Sequence, residues 1–155
     1  MRQSGRVGRK GTGQISALSL SVPQSSLGFW SKRLTDHGVA NKEDQRFGEK
    51  MIKFQNPGGI DYELVGIADD DRKPYTGGGV PSEYGIRGTH GITVSVASFE
   101  TSLEFMELAW NGKQTAKDGN SVRFEVGNGG TGTLVDFHRD PSLGQGTWTF
   151  GEGTV

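Results

Sequence analysis

The side chains with most chemistry to offer are three histidines, His37, His90 and His138, and two carboxylates set among apolar neighbours. Glu63 lies between Tyr62 and Leu64, and Asp136 between Val135 and Phe137. One histidine with two carboxylates is a donor set for a non-haem iron, manganese or nickel centre that leaves positions open for substrate. Glu63, His90 and Asp136 are therefore the candidate metal ligands, and no residue is assigned a catalytic role. An acid turned into a sheet face is costly unless paired, metal-bound or open to water. The same pattern thus also fits acids that face solvent or a polar cavity with no metal. His37 falls in the last turn of a predicted helix, where it would cap carbonyls. His138 falls just outside a predicted strand, beside Arg139 and Asp140, in an exposed loop position. With no cysteine in the chain, thiolate zinc sites, disulfides and cysteine nucleophiles are excluded.

Two glycine strings carry no chemistry. Gly127, Gly129, Gly130 and Gly132 fit GxGxxG, but a dinucleotide site needs a helix start after the glycines, and strand-like TLVDF follows here. Gly112 and Lys113 resemble part of a phosphate-binding loop. The preceding glycine is missing, however, and Gln114 replaces the hydroxyl that would hold magnesium.

The elements that must position the candidate ligands are short. Twenty-six glycines against five prolines imply tight turns and positive-φ positions rather than long helices. Residues 1–13, rich in glycine and arginine, read as a flexible leader. Over residues 15–22, Leu18, Leu20 and Val22 alternate with Ser19 and Ser21 as in a half-buried strand. A helix from about Ser26 follows, with Leu27, Trp30 and Leu34 on one face and Gly38 to end it. Residues 47–54 and 60–67 then read as strands around an Asn56 to Gly59 turn.

This order recurs. After a 68–87 linker come an alternating strand with Ile92, Val94 and Val96, a helix from about Ser98, and strands over 122–126 and 133–137. Ser26, Leu27 and Phe29 return as Ser102, Leu103 and Phe105 at one common spacing. The expectation is an α+β fold of two tandem βαβββ modules, residues 14–67 and 88–140, followed by a 141–155 tail. Two such modules side by side would form one curved, mixed sheet, a cup with helices outside and the ligand position within.

Composition narrows the function classes. A hydrophobic fraction of 32% and a charged fraction of 23% describe a globular chain, and no run of about 18 apolar residues is present to span a membrane. The opening MRQSGRVGRK lacks the apolar stretch of a signal peptide, so a cytoplasmic address is expected. A net charge of −1 argues against nucleic acid as a partner, although Arg2, Arg6, Arg9 and Lys10 cluster in the leader.

The stretches GTGQISALSLSVPQSSLGFW, RFGEKMIKFQNPGGIDYELVGI and IRGTHGITVSVASFETSLEFM resemble the central part of bacterial ring-cleaving dioxygenases of the hydroquinone and catechol type. These belong to the glyoxalase, bleomycin-resistance and extradiol dioxygenase (vicinal oxygen chelate) superfamily, and the likeness runs from Gly5 over nearly the whole chain. The resemblance implies four modules, Fe(II), and insertion of dioxygen into an aromatic diol. It places this chain at the second and third modules, with the metal-binding histidines in the first strands of the first and fourth. Aligned on Val22 and Val96, the implied ligand position five residues earlier falls on Ala17 and Gly91. Glu63 matches the implied ligand glutamate. His90 stands one residue out of step, which on a regular strand turns it to the opposite face.

Two functional readings follow. In the first, the chain is a partial or degenerate ring-cleaving dioxygenase homologue that binds a small aromatic or apolar ligand or needs a partner. In the second, it is an active dioxygenase or glyoxalase-type enzyme holding Fe(II) or another divalent metal through Glu63, His90 and Asp136, with the site at a dimer interface. A homodimer is expected, because surfaces that would meet further modules should be apolar.

Overall fold

The computed structural model describes residues 8–147; Arg2 and Arg6 of the expected leader, and residues 148–155 of the expected tail, lie outside them. The first module runs β1 (Gln14–Pro23), α1 (Leu27–Asp36), β2 (Asn41–Arg46), β3 (Glu49–Gln55) and β4 (Asp61–Ile67). The second repeats it with β5 (Gly88–Ser95), α2 (Glu100–Trp110), β6 (Lys113–Asp118), β7 (Ser121–Glu125) and β8 (Leu134–His138). All eight strands form one mixed sheet in the order β2-β3-β4-β1-β5-β8-β7-β6. The modules join where β1 and β5 pair antiparallel, while β1 pairs β4, and β5 pairs β8, in parallel.

Strand alternation sorts the two faces. Val22, Ile52 and Leu64 pack with Trp30 of α1, and Val96, Phe124, Val135 and Phe137 pack with Met106 of α2, so both apolar cores lie on the helix side. The other face is polar. The sheet is curled so strongly that its opposite edges meet: the Phe47 amide, beside β2, donates to Asp118 Oδ2 of β6 at 2.8 Å. Flat strands spaced about 4.8 Å apart would hold those edges more than about 30 Å from each other.

The edge strands β2 and β6 were not among the expected strands. NKEDQR and KQTAKD are polar on both faces and mostly exposed, so no alternation marks them. Such charged edges guard a sheet against pairing with other chains. The expected strand over 47–54 begins instead at Glu49, because Phe47 (φ 53°) and Gly48 (φ 79°) take the left-handed conformation of a tight hairpin turn.

Segments read from sequence as leader and linker are packed where described. Thr12 pairs with Gln145, and Gly11 sits so close to the Gly144–Gly146 backbone that a Cβ would meet Gly144 O. Between the modules, Tyr84 stacks on Phe29 at 4.4 Å and its carbonyl accepts from Trp30 Nε1 at 2.9 Å. No helix among the described residues is long and apolar enough to cross a membrane.

Candidate functional site

The polar face carries a buried ion network built from equivalent positions of the two modules. Ser19 of β1 lies beside Glu63 of β4, and Thr93 of β5 beside Asp136 of β8. On the other flank, Lys53 of β3 opposes Glu63 and Arg123 of β7 opposes Asp136. Each module thus supplies a hydroxyl, an acid and a base.

Arg46, the last residue of β2, crosses between the two sets. Its guanidinium donates to Glu63 Oε1 at 3.0 Å and Oε2 at 2.8 Å, and to Thr93 Oγ1 at 3.1 Å and Asp136 Oδ2 at 3.2 Å. Ser19 Oγ donates to Glu63 Oε2 at 2.6 Å. Arg123 clamps Asp136 through two bonds of 2.7 and 3.0 Å and donates to Glu49 Oε2 at 2.7 Å. The Phe47 ring lies 4.4 Å from the Arg123 guanidinium carbon, a cation–π contact that fixes the hairpin tip over the network.

These partners set the charges. Burial alone would raise Glu63, yet the hydrogen bonds and charge of Arg46, with Ser19 and Lys53 behind them, outweigh it and hold the carboxyl below its ordinary range. Glu49 is lowered against the same burial effect by His90 and Arg123. Burial works against the charged forms of Arg46 and Arg123 too, but their carboxylates more than compensate and keep both cationic.

His90 enters this network by an irregularity in its strand. Ser19 pairs with Gly91 but Leu20 pairs with Thr89, so His90 is the extra residue of a bulge. The bulge cancels the one-residue offset that would turn His90 to the helix side. Its ring is 2% exposed, with Nε2 3.3 Å from Glu49 Oε2 and Nδ1 without a hydrogen-bond partner. A matching irregularity leaves Ser16 as the extra residue of β1. His138 is the last residue of β8 rather than an exposed loop residue, because its strand extends one position further to pair with Ser121, whose Oγ lies 2.9 Å from His138 Nδ1. Burial first, then the charges of Arg46 and Lys53, lower its pKa. His37 terminates α1 with Nδ1 2.8 Å from Arg33 O.

Of the three candidate ligands, Glu63 and Asp136 are brought together through Arg46, and His90 reaches Asp136 through Glu49 and Arg123. The donor set does not fit a metal ion: both oxygens of each carboxylate already face a guanidinium. Among the described residues no group of three or more His, Cys, Asp or Glu could hold one. Sequence reasoning missed Arg46, Glu49 and Arg123. Arg123 had a usable signal, since Val122-Arg123-Phe124 places a charge between apolar neighbours just as Val135-Asp136-Phe137 does, with opposite sign. Beside the network opens a pocket of about 400 Å³ lined in part by Ser16, Lys53, Asn120 and His138.

No protein-family profile matches the chain. The chlorohydroquinone/hydroquinone 1,2-dioxygenase of Sphingobium indicum is 37% identical over 158 residues, covering 100% of this chain and 49% of that protein. A Bacillus subtilis protein named as the ring-cleaving dioxygenase MhqO is 30% identical over 150 residues, covering 97% of this chain and 47% of its own length. The crystal structure of a Bacillus subtilis protein assigned as a dioxygenase superposes with a TM-score of 0.84 at 29% identity, over 98% of this chain and 48% of that one. The chain is related to the vicinal oxygen chelate superfamily. Glyoxalase I from Zea mays shares the fold, with a TM-score of 0.62 at 15% identity over 94% of this chain and 48% of its own. The chain spans about half the length of the curated relatives it matches. Its tandem modules and curled α+β sheet agree with the expectation from sequence.

Proposed function

We propose that this module pair is the scaffold half of a ring-cleaving dioxygenase-type protein, and that oxygen chemistry on an aromatic diol depends on metal ligands from a second module pair. The observation that carries this reading is the engagement of Glu63 and Asp136 by Arg46. A carboxylate that serves a metal must keep a lone pair directed at the ion, whereas Glu63 accepts two bonds from Arg46 and one from Ser19. A dication entering here would displace a guanidinium and remain near further cations. At about 4 Å each would repel it by about 8 kcal/mol, taking an effective dielectric constant near 20.

The strand positions implied as ligands by the family resemblance support the same reading. Ala17 has no donor, and a Cβ on Gly91 would meet Leu134 O at 2.7 Å. The relatives are about twice as long, which leaves room in them for a second cup.

Iron content and oxygen uptake with hydroquinone test the proposal together. The purified chain is expected to hold far less than one iron and to consume no oxygen above the uncatalysed rate, and co-expression with a module pair from a longer relative is expected to supply activity. Stoichiometric iron with turnover by this chain alone would overturn it.

A further inference from the structure

Every strand of the sheet contributes at least one residue to the lining of the cavity of about 400 Å³ beside the buried network. The cavity is therefore a product of the curl as a whole, and its size falls at the small end of ligand pockets, which run from about 300 to about 1,000 Å³. Ala17 helps to keep it open. In the register Ala17 lies between Asp61 of β4 and Thr93 of β5, and its methyl group leaves vacant the space that a longer side chain would take.

The charges around this cavity are already matched. Asp44 has Lys53 at 3.3 Å, Asp61 has Lys10 at 2.9 Å, Glu63 has Arg46 at 2.8 Å, and Asp118 Oδ2 accepts from the Phe47 amide at 2.8 Å. A ligand with net charge would have to compete with one of these pairs or enter beside a like charge, whereas a neutral one need not.

The polar groups that remain uncommitted include both donors and acceptors. Asn120, on the turn between β6 and β7, is exposed, and its carboxamide, without a partner among the described residues, offers both. Ser121 Oγ lies 2.9 Å from His138 Nδ1, which orients the ring and leaves Nε2 for a ligand. Burial, then the charges of Arg46 and Lys53, lower the His138 pKa, so the ring is neutral at pH 7. Asp118 keeps Oδ1 as an acceptor. The Lys53 ammonium, 3.3 Å from Asp44 and 3.6 Å from Glu63, stands beyond the about 2.7–2.9 Å of a charge-assisted bond and so has N–H groups to spare. A hydroxyl is the neutral group that suits this mixture, because one oxygen both donates and accepts. No aromatic side chain among the described residues lines the cavity, so recognition rests on hydrogen bonds rather than on ring stacking.

We propose that this cavity is a metal-free binding site for a small neutral molecule bearing several hydroxyl groups, held by Lys53, Asp118, Asn120 and His138. An aromatic diol and an aliphatic polyol present the same hydroxyl chemistry. Binding here needs neither a metal nor a second module pair, so it stands apart from the oxygen chemistry proposed above.

The chain has three histidines, of which His138 alone lines the cavity, so its imidazole reports occupancy directly. Hydroquinone under anaerobic conditions, glucose and myo-inositol are titrated separately into the chain carrying isotope-labelled histidine, and the imidazole nitrogens are followed by NMR. At least one of the three is expected to give a saturable His138 shift at millimolar concentration or below, with His37 unmoved. A response to hydroquinone alone would identify an aromatic diol as the ligand, and a response to either polyol an aliphatic one. Asn120→Ala, a substitution on an exposed turn, is expected to weaken that binding about two- to tenfold without lowering thermal stability. Ala17→Leu is expected to abolish it by filling the cavity. The absence of a saturable His138 shift with all three compounds would overturn the proposal, as would undiminished binding by the Asn120→Ala variant. Tighter binding of acetate or methylammonium than of any neutral compound would also overturn it, because charge would then be the selector.

Discussion

Arg46 of the first module donates to Asp136 of the second at 3.2 Å, although their strands are separated by β3, β4, β1 and β5 in the sheet. The bond exists only because the sheet is curled, and it in turn ties that curl shut. Phe47 to Asp118 and Glu49 to Arg123 and His90 make the same crossing from the neighbouring residues of one hairpin tip. A four-residue strap, Arg46 to Glu49, therefore crosses the concave face of the cup and ties its two edges together.

Removing the crossing cation should be costly. Arg46→Met leaves Glu63, 1% exposed, and Asp136, 4% exposed, short of a partner in low-dielectric surroundings. A loss of about 3–5 kcal/mol in urea unfolding is expected, typical of a buried pair broken from one side. Arg46→Lys should recover only part of it, because one ammonium cannot serve Glu63 as a two-pronged donor. A Met variant as stable as the parent chain would mean that the network adds little to the fold.

Acid should act through the same carboxylates. Glu63 and Glu49 are both held below the ordinary glutamate range in the folded chain. Groups depressed on folding contribute stability that is fully present above the unfolded-state pKa and is lost as pH falls through the folded one. Unfolding free energy measured from neutral pH down to about pH 3 should therefore decline on the acid side, and Glu63→Gln should flatten that decline while lowering stability at neutral pH. An identical acid slope in parent and variant would assign the effect to other groups.

How far the sequence could be read depended on whether a residue's partner lies on its own element. Leu18, Leu20 and Val22 announce a strand because strand burial has a period of two, and the Ser-Leu-x-Phe recurrence announces the repeat. Nothing in NKEDQR marks an edge strand, since both of its faces meet water and its only distinctive role is to present Arg46 at its end. His90 was legible as unusual but not in its direction, because a bulge is a property of the pair β1 and β5 and not of either strand alone. Arg46 and Glu49 remained hidden because they act across the curl, a distance that no local pattern encodes.

The inter-module segment offers a separate test of packing. Trp30 Nε1 donates to Tyr84 O at 2.9 Å while the neighbouring Phe29 stacks on the Tyr84 ring. Trp30→Phe keeps most of the apolar contact and deletes the hydrogen bond, so a loss of about 0.5–1.5 kcal/mol is expected. Limited proteolysis should cut the variant faster than the parent chain within residues 68–87. Equal cleavage rates would show that Tyr84 is held by stacking alone.

Gly91 provides the sharpest test at the strand position that the family resemblance implies as a metal ligand. A Cβ there would lie 2.7 Å from Leu134 O and 2.9 Å from Leu134 Cβ, and neither can retreat without parting β5 from β8. Gly91→Ala should therefore destabilise the chain by about 1–3 kcal/mol through overpacking. Gly91→His should be worse and should bring no gain in divalent-metal affinity, because the ring would enter beside a network already occupied by Arg46 and Arg123. Calorimetric titration with Mn²⁺ or Ni²⁺, read together with thermal unfolding, separates the two effects. A folded Gly91→His variant that binds either ion one to one would show that the arginines yield readily, and that this concave face lies a single side chain away from a metal centre.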